Sequence, residues 1–119
     1  MNIEDFHLYC LAKPGVTESF PFGPETLVLK VMDKMFALTN LEREGFKVNL
    51  KCQPEMAIEW RESYPEVQPG YHMNKKHWNT VDFEGGLEDA LLCRMIDLSY
   101  NLVLQGLPKS QQDLISKGE

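Results

Sequence analysis

The chain has no apolar run approaching the roughly 20 residues needed to span a bilayer, and Met1-Asn2-Ile3-Glu4-Asp5 lacks the basic and apolar regions of a signal peptide. Those absences set the expectation of a cytoplasmic protein without a membrane partner. Cysteine is scarce and odd in number: Cys10, Cys52 and Cys93 are widely spaced in apolar surroundings, which suits reduced thiols used as core filler rather than a disulfide framework. Basic residues are outnumbered, with 12 Lys and Arg against 18 Asp and Glu and a net charge of -6. Blanket attraction to nucleic acid is therefore excluded, and any anion binding must come from a local patch. No internal repeat, linker or low-complexity segment is visible. At 119 residues, 43% of them hydrophobic, the chain suits one domain with one core, spanning 1–119.

One stretch reverses the scarcity of positive charge. Pro69-Gly70 introduces Tyr71-His72-Met73-Asn74-Lys75-Lys76-His77-Trp78-Asn79-Thr80-Val81, and no acidic residue stands between Glu66 and Asp82. Two of the three histidines and two adjacent lysines meet here with amides, an indole and a phenol. The lysines suit phosphates, His72, Asn74 and His77 offer hydrogen bonds, and Tyr71 and Trp78 either stack on a base or pack under the loop.

Around this stretch the pattern alternates between helix and strand. Asn2 caps a first helix on which Ile3, Phe6 and Cys10 share a face, and Pro14-Gly15 stops it. Val16 to Phe20 is a short strand. Pro21-Phe22-Gly23-Pro24 is a rigid loop in which Phe22 is expected to plug the core. Thr26 to Val31 and Met35 to Thr39 form a hairpin joined by Met32-Asp33-Lys34. Phe46 to Lys51 alternates strictly, so Lys47, Asn49 and Lys51 share a wet face, and Lys30 lies on the polar side of its own strand. Pro54 opens a helix to about Ser63 with Met56, Ala57 and Trp60 inward. Trp78 to Phe83 is a further strand with His72 to Lys76 as the loop before it. After Gly85-Gly86 the longest helix runs from about Leu87 to Leu104, with Leu91, Met95, Leu98 and Leu102 at helical spacing and Tyr100 tethering it to the sheet. Lys109 to Glu119 is expected to be a short, frayed helix. This order predicts an α+β, two-layer sandwich: an antiparallel sheet covered by helices on one face, the other face open to solvent or a partner.

Phe20-Pro21-Phe22-Gly23, Lys34-Met35-Phe36-Ala37-Leu38, Val48-Asn49-Leu50-Lys51-Cys52, the block from Pro69 to Asn79 and Ser99-Tyr100-Asn101-Leu102-Val103, in that order, resemble the MmcQ/YjbR-like proteins. The resemblance covers nearly the whole chain. It implies an α-β-α-β-α fold similar to type III secretion chaperones, and a family whose members are usually labelled candidate DNA-binding proteins. After Leu107-Pro108-Lys109 the family tends to continue with basic residues, whereas this chain has Ser110-Gln111-Gln112-Asp113, which argues against a nucleic-acid role for that segment.

A metal site from His72, His77 and Cys52 matches no regular zinc pattern, and no nucleophile or orienting carboxylate stands beside His77 or Asn74 to suggest catalysis. No cofactor is implied. Two classes of function fit: a non-catalytic module binding DNA or another anionic ligand through Tyr71, His72, Asn74, Lys75, Lys76, His77, Trp78, Asn79, Lys51, Lys47 and Lys30, and a protein-interaction module or homodimer using the open sheet face. The second class requires apolar exposure at Val28 and Phe36.

Overall fold

The structure is a computed structural model and describes residues 1–70 and 73–117. Asn2 caps α1 (Ile3–Leu11), its side chain accepting the Asp5 N–H at 2.8 Å, and the helix buries Phe6 and Cys10. β1 (Val16–Ser19), β2 (Thr26–Val31), β3 (Lys34–Asn40) and β4 (Lys47–Lys51) follow as an antiparallel meander. α2 (Pro54–Ser63) and β5 (Val67–Pro69) precede β6 (Trp78–Asp82), and α3 (Asp89–Gln105) and α4 (Lys109–Lys117) close the described chain. The sheet order is β1-β2-β3-β4-β6-β5, antiparallel throughout. No helix among the described residues is long and apolar enough to cross a membrane.

The β2–β3 turn is one residue tighter than the sequence pattern predicts. Met32 and Asp33 both take positive φ, 48° and 68°, the two-residue geometry whose twist matches that of paired strands, so Lys34 already belongs to β3. A register shift between Leu29 and Lys30 then inserts one extra residue in β3. The shift turns Phe36 inward beneath α3, where its ring meets Tyr100 edge-on at 5.5 Å.

α3 lies across the sheet on a broader face than the leucine spacing suggests. Leu92, Met95, Ile96, Ser99, Tyr100 and Val103 are buried, while Leu91, Leu98 and Leu102 flank them half-buried. Ser99 sits where the β3–β4 ladder ends. Its hydroxyl donates to the Phe36 carbonyl at 2.5 Å and accepts the Lys51 N–H at 2.8 Å, satisfying two buried backbone groups that have no strand partner there. Tyr100 ties the helix to the sheet through its ring, which packs on Phe36 of β3, while its hydroxyl donates to the Pro14 carbonyl at 2.6 Å and fixes the turn after α1. Phe6, Phe46 and Phe83 complete the core in mutual edge-to-face contact, with centroids 5.2 to 5.7 Å apart.

A second, smaller cluster lies on the other face of the sheet, where Val28, Leu38 and Trp78 are buried and Met35 and Met73 pack against them. Two expectations are corrected here. Val28 and Phe36 are fully buried, Val28 in this cluster and Phe36 under α3, so neither offers the apolar exposure that a sheet-face protein interface requires. Phe22 is no core plug: at 59% exposed it projects from the β1–β2 loop. No disulfide links Cys10, Cys52 and Cys93.

Candidate anion-binding end of the sheet

Residues 74–78, leading into β6, make a compact turn built on Asn74. Its carbonyl accepts the N–H groups of His77 at 3.1 Å and Trp78 at 2.9 Å, while its side-chain oxygen accepts the Lys76 N–H at 2.9 Å. An amide that closes its own turn in this way is a framework element. Lys75 and Lys76 are thereby left exposed. The turn is fastened to β4 by the Cys52 N–H, which donates to the His77 carbonyl at 2.7 Å, and to the end of β5 by the Gly70 N–H, which donates to the Trp78 carbonyl at 2.8 Å. Gly70 is required by this close approach: a Cβ there would lie 2.8 Å from Trp78 Cβ and 2.9 Å from its carbonyl oxygen.

The strongest hold comes from a residue the sequence pattern did not single out. Arg61 of α2 donates through Nε to Asn79 Oδ1 at 2.6 Å and through Nη2 to the Trp78 carbonyl at 3.2 Å and to the Lys75 carbonyl. Asn79, only 2% exposed, returns to the same helix by donating from Nδ2 to the Ala57 carbonyl at 3.4 Å. Its amide is therefore committed to structure and does not face a ligand. One signal for Arg61 did exist: it stands four residues after the inward Ala57 and so shares its helix face.

The register gathers some of the candidate lysines and separates others. Lys51 pairs with Trp78, and Lys30 pairs with Met35 on the same face near the same end. Exposed Lys34, a turn residue by sequence pattern, begins β3 there, so Lys30, Lys34, Lys51, Lys75 and Lys76 mark one end of the sheet. Among the described residues, none of the five is in an ion pair. Asp33 in the hairpin turn and Glu55 in the first turn of α2 are nearby carboxylates. Lys47 stands apart: four residues from Lys51, it lies about 13 Å away along the strand, pairs with Asp82 and lines a small hollow with Glu66 and Asp82. Half-buried His77 lines a hollow of about 240 Å3 with Lys51, Gln53, Pro54 and Leu102. Trp78 is 7% exposed and belongs to the second cluster, which decides its role in favour of packing. Tyr71 and His72 lie outside the described residues.

Burial pushes the Cys52 thiol up to about 11 against the opposing pull of the Arg61 charge, so it stays protonated at neutral pH. Among the described residues no group of three or more His, Cys, Asp or Glu side chains converges to hold a metal. A cleft of about 630 Å3 lies at the opposite end of the sheet between Ile3, Leu41, Phe46, Phe83 and Leu87.

Comparison with known proteins agrees with this architecture. The YjbR family model matches residues 11–102. YbdF of Escherichia coli O157:H7 is 41% identical over 108 residues, covering 91% of this chain and 88% of YbdF. YjbR of Escherichia coli K12 is 34% identical over 115 residues, covering 97% and 98%. The crystal structure of Deinococcus radiodurans DR2400 superposes with a TM-score of 0.89 at 37% identity, over 97% of this chain and 88% of that one. A Pseudomonas syringae crystal structure follows with 0.76 at 30% identity, over 86% and 98%. Matched by the family model across most of its length and by relatives and structures aligned nearly end to end, the chain belongs to the YjbR family.

Proposed function

We propose that this protein is a non-catalytic cytoplasmic module that binds nucleic acid, DNA in the first instance, through backbone phosphates and without a cofactor. The observation that carries the reading is the end of the sheet where Lys30, Lys34, Lys51, Lys75 and Lys76 collect without ion-pair partners among the described residues, in a chain of net charge -6. Unneutralised like charges held together destabilise a fold slightly and have no packing purpose, whereas they suit a polyanion. The acidic remainder of the surface then orients the ligand by repulsion. Burial of Trp78 and the internal use of Asn74 and Asn79 leave phosphate contact as the main term, so the binding is insensitive to sequence.

The test is a titration of labelled duplex and single-stranded DNA at two salt concentrations. Dissociation constants on the order of 10⁻⁴ to 10⁻⁶ M that weaken steeply with salt are expected. Replacing Lys75 and Lys76 together with alanine should flatten the log-log salt slope by up to about 1.8, leaving thermal stability nearly unchanged. Absence of binding at low salt, or a double variant that binds as the parent does, overturns the reading. A protein-interaction module is the second reading, favoured by exposed Phe20, Phe22 and Leu41 on the β1–β2 and β3–β4 connections. Its hallmark is association that barely responds to salt.

A further inference from the structure

We infer that Arg61 is the positioning residue of the Lys75–Lys76 turn, so that a polyanion meets a pair of lysines whose backbone is already ordered. The inference rests on the phosphate-binding reading above. One guanidinium supplies the hydrogen bonds to the Lys75 carbonyl, the Trp78 carbonyl and Asn79 Oδ1. These acceptors bracket Lys76 and His77, so the arginine holds both sides of the turn at once. Asn79 closes the clamp by bonding back to Ala57, one helical turn before Arg61. Helix α2 thus acts as the rigid support and the turn as the part it presents.

The chemistry of the clamp is informative. Among the described residues Arg61 has no carboxylate partner; its acceptors are two carbonyls and an amide, which engage Nε and Nη2 without cancelling its charge. A third cation is therefore fixed behind two exposed ones. Its place in the last turn of α2 suits a cation, but among the described residues no carboxylate has been set beside it to offset the two lysines in front. A fixed, uncancelled charge behind the turn favours an anion in front of it. The fork geometry also matters: a lysine ammonium is a single point of donation and cannot span acceptors on either side of a turn, although it keeps the charge.

That difference supplies the experiment, with Arg61→Lys and Arg61→Gln compared to the parent in binding a fluorescein-labelled mixed-sequence DNA duplex. For Arg61→Lys the expected result is a protein that still unfolds cooperatively, binds on the order of tenfold more weakly, about the ordering of one backbone residue, and keeps the parent's salt slope. An unchanged slope with weaker binding marks lost order, because lost phosphate contacts lower it. Amide hydrogen exchange of His77 and Trp78, whose N–H groups close the turn on the Asn74 carbonyl, should accelerate in both variants while α3 stays protected. Three outcomes overturn the proposal: Arg61→Lys binding like the parent, a loss of affinity accompanied by a lower slope, or loss of the folded state in both variants. If the parent itself binds no DNA, the phosphate-binding reading fails. The exchange measurement still decides whether Arg61 orders the turn.

Discussion

Replacing Trp78 with alanine separates a packing role from a stacking one. The indole is 7% exposed and packs on Val28 and Leu38 with Met35 and Met73 at its margins. A buried aromatic side chain hides about 150 to 250 Å2, which at about 25 cal/mol per Å2 gives about 4 to 6 kcal/mol for complete removal. That is an upper bound, because the unfolded chain already hides part of the surface. Alanine retains the Cβ, and two flexible methionines can settle into the vacated space. A loss of about 3 to 4 kcal/mol is therefore expected, at the lower end of the range for aromatic truncation in a core. With an unfolding entropy of about 2.1 cal/mol/K per residue, each kcal/mol is worth about 4 °C in a chain of this length, so the thermal midpoint should fall by about 12 to 16 °C. Urea unfolding followed by circular dichroism measures the change, with the denaturant slope unaltered. A loss below about 1 kcal/mol accompanied by weaker binding to single strands would refute the reasoning and assign the indole to the ligand.

Ser99→Ala should cost about 2 to 4 kcal/mol, because it strands the Phe36 carbonyl and the Lys51 N–H in the core; a urea midpoint within experimental error of the parent's contradicts that role. Burial pushes the thiols of Cys10 and Cys52 up to about 12 and about 11 from an ordinary 9.0. Their unfolded forms ionise first, so stability is intact below pH 9 and falls as pH rises from 9 towards 11. Urea midpoints that stay level through that window count against the burial. In native protein a thiol reagent should label half-exposed Cys93 ahead of the other two, and peptide mapping that finds Cys10 or Cys52 labelled first reverses the order.

Strand length and β-rich composition make β2 and β3 readable, strict alternation makes β4 so, and Pro54 with Tyr64-Pro65 marks both ends of α2. β5 escaped because three residues, the last a proline, carry no periodicity; its existence depends on β6 lying alongside. The side-chain assignments failed where tertiary context overrides residue type. Hydrophobicity points Phe22 inward, yet it stands exposed on the β1–β2 loop. Asn74 and Asn79 look alike in sequence, but one closes a turn and the other joins a clamp to α2. Arg61 lies 14 to 18 residues from its partners, a separation that no helical or strand period reports. Lys47 and Lys51 share a face, as alternation requires, while only the pairing of Lys47 with Asp82 removes the first from the basic end.

The lengths of the strands bear on how copies of this protein meet one another. The longest, β2 and β3 with six and seven residues, are interior, whereas the two borders are β1 with four residues and β5 with three. A border strand invites another chain to add to it in proportion to its run of unpaired N–H and C=O groups. β5 offers a very short run, and Pro69 has no N–H to contribute. Sheet extension and fibrillar aggregation are thus discouraged at the border nearest the lysine turn, leaving that end to contacts made by side chains.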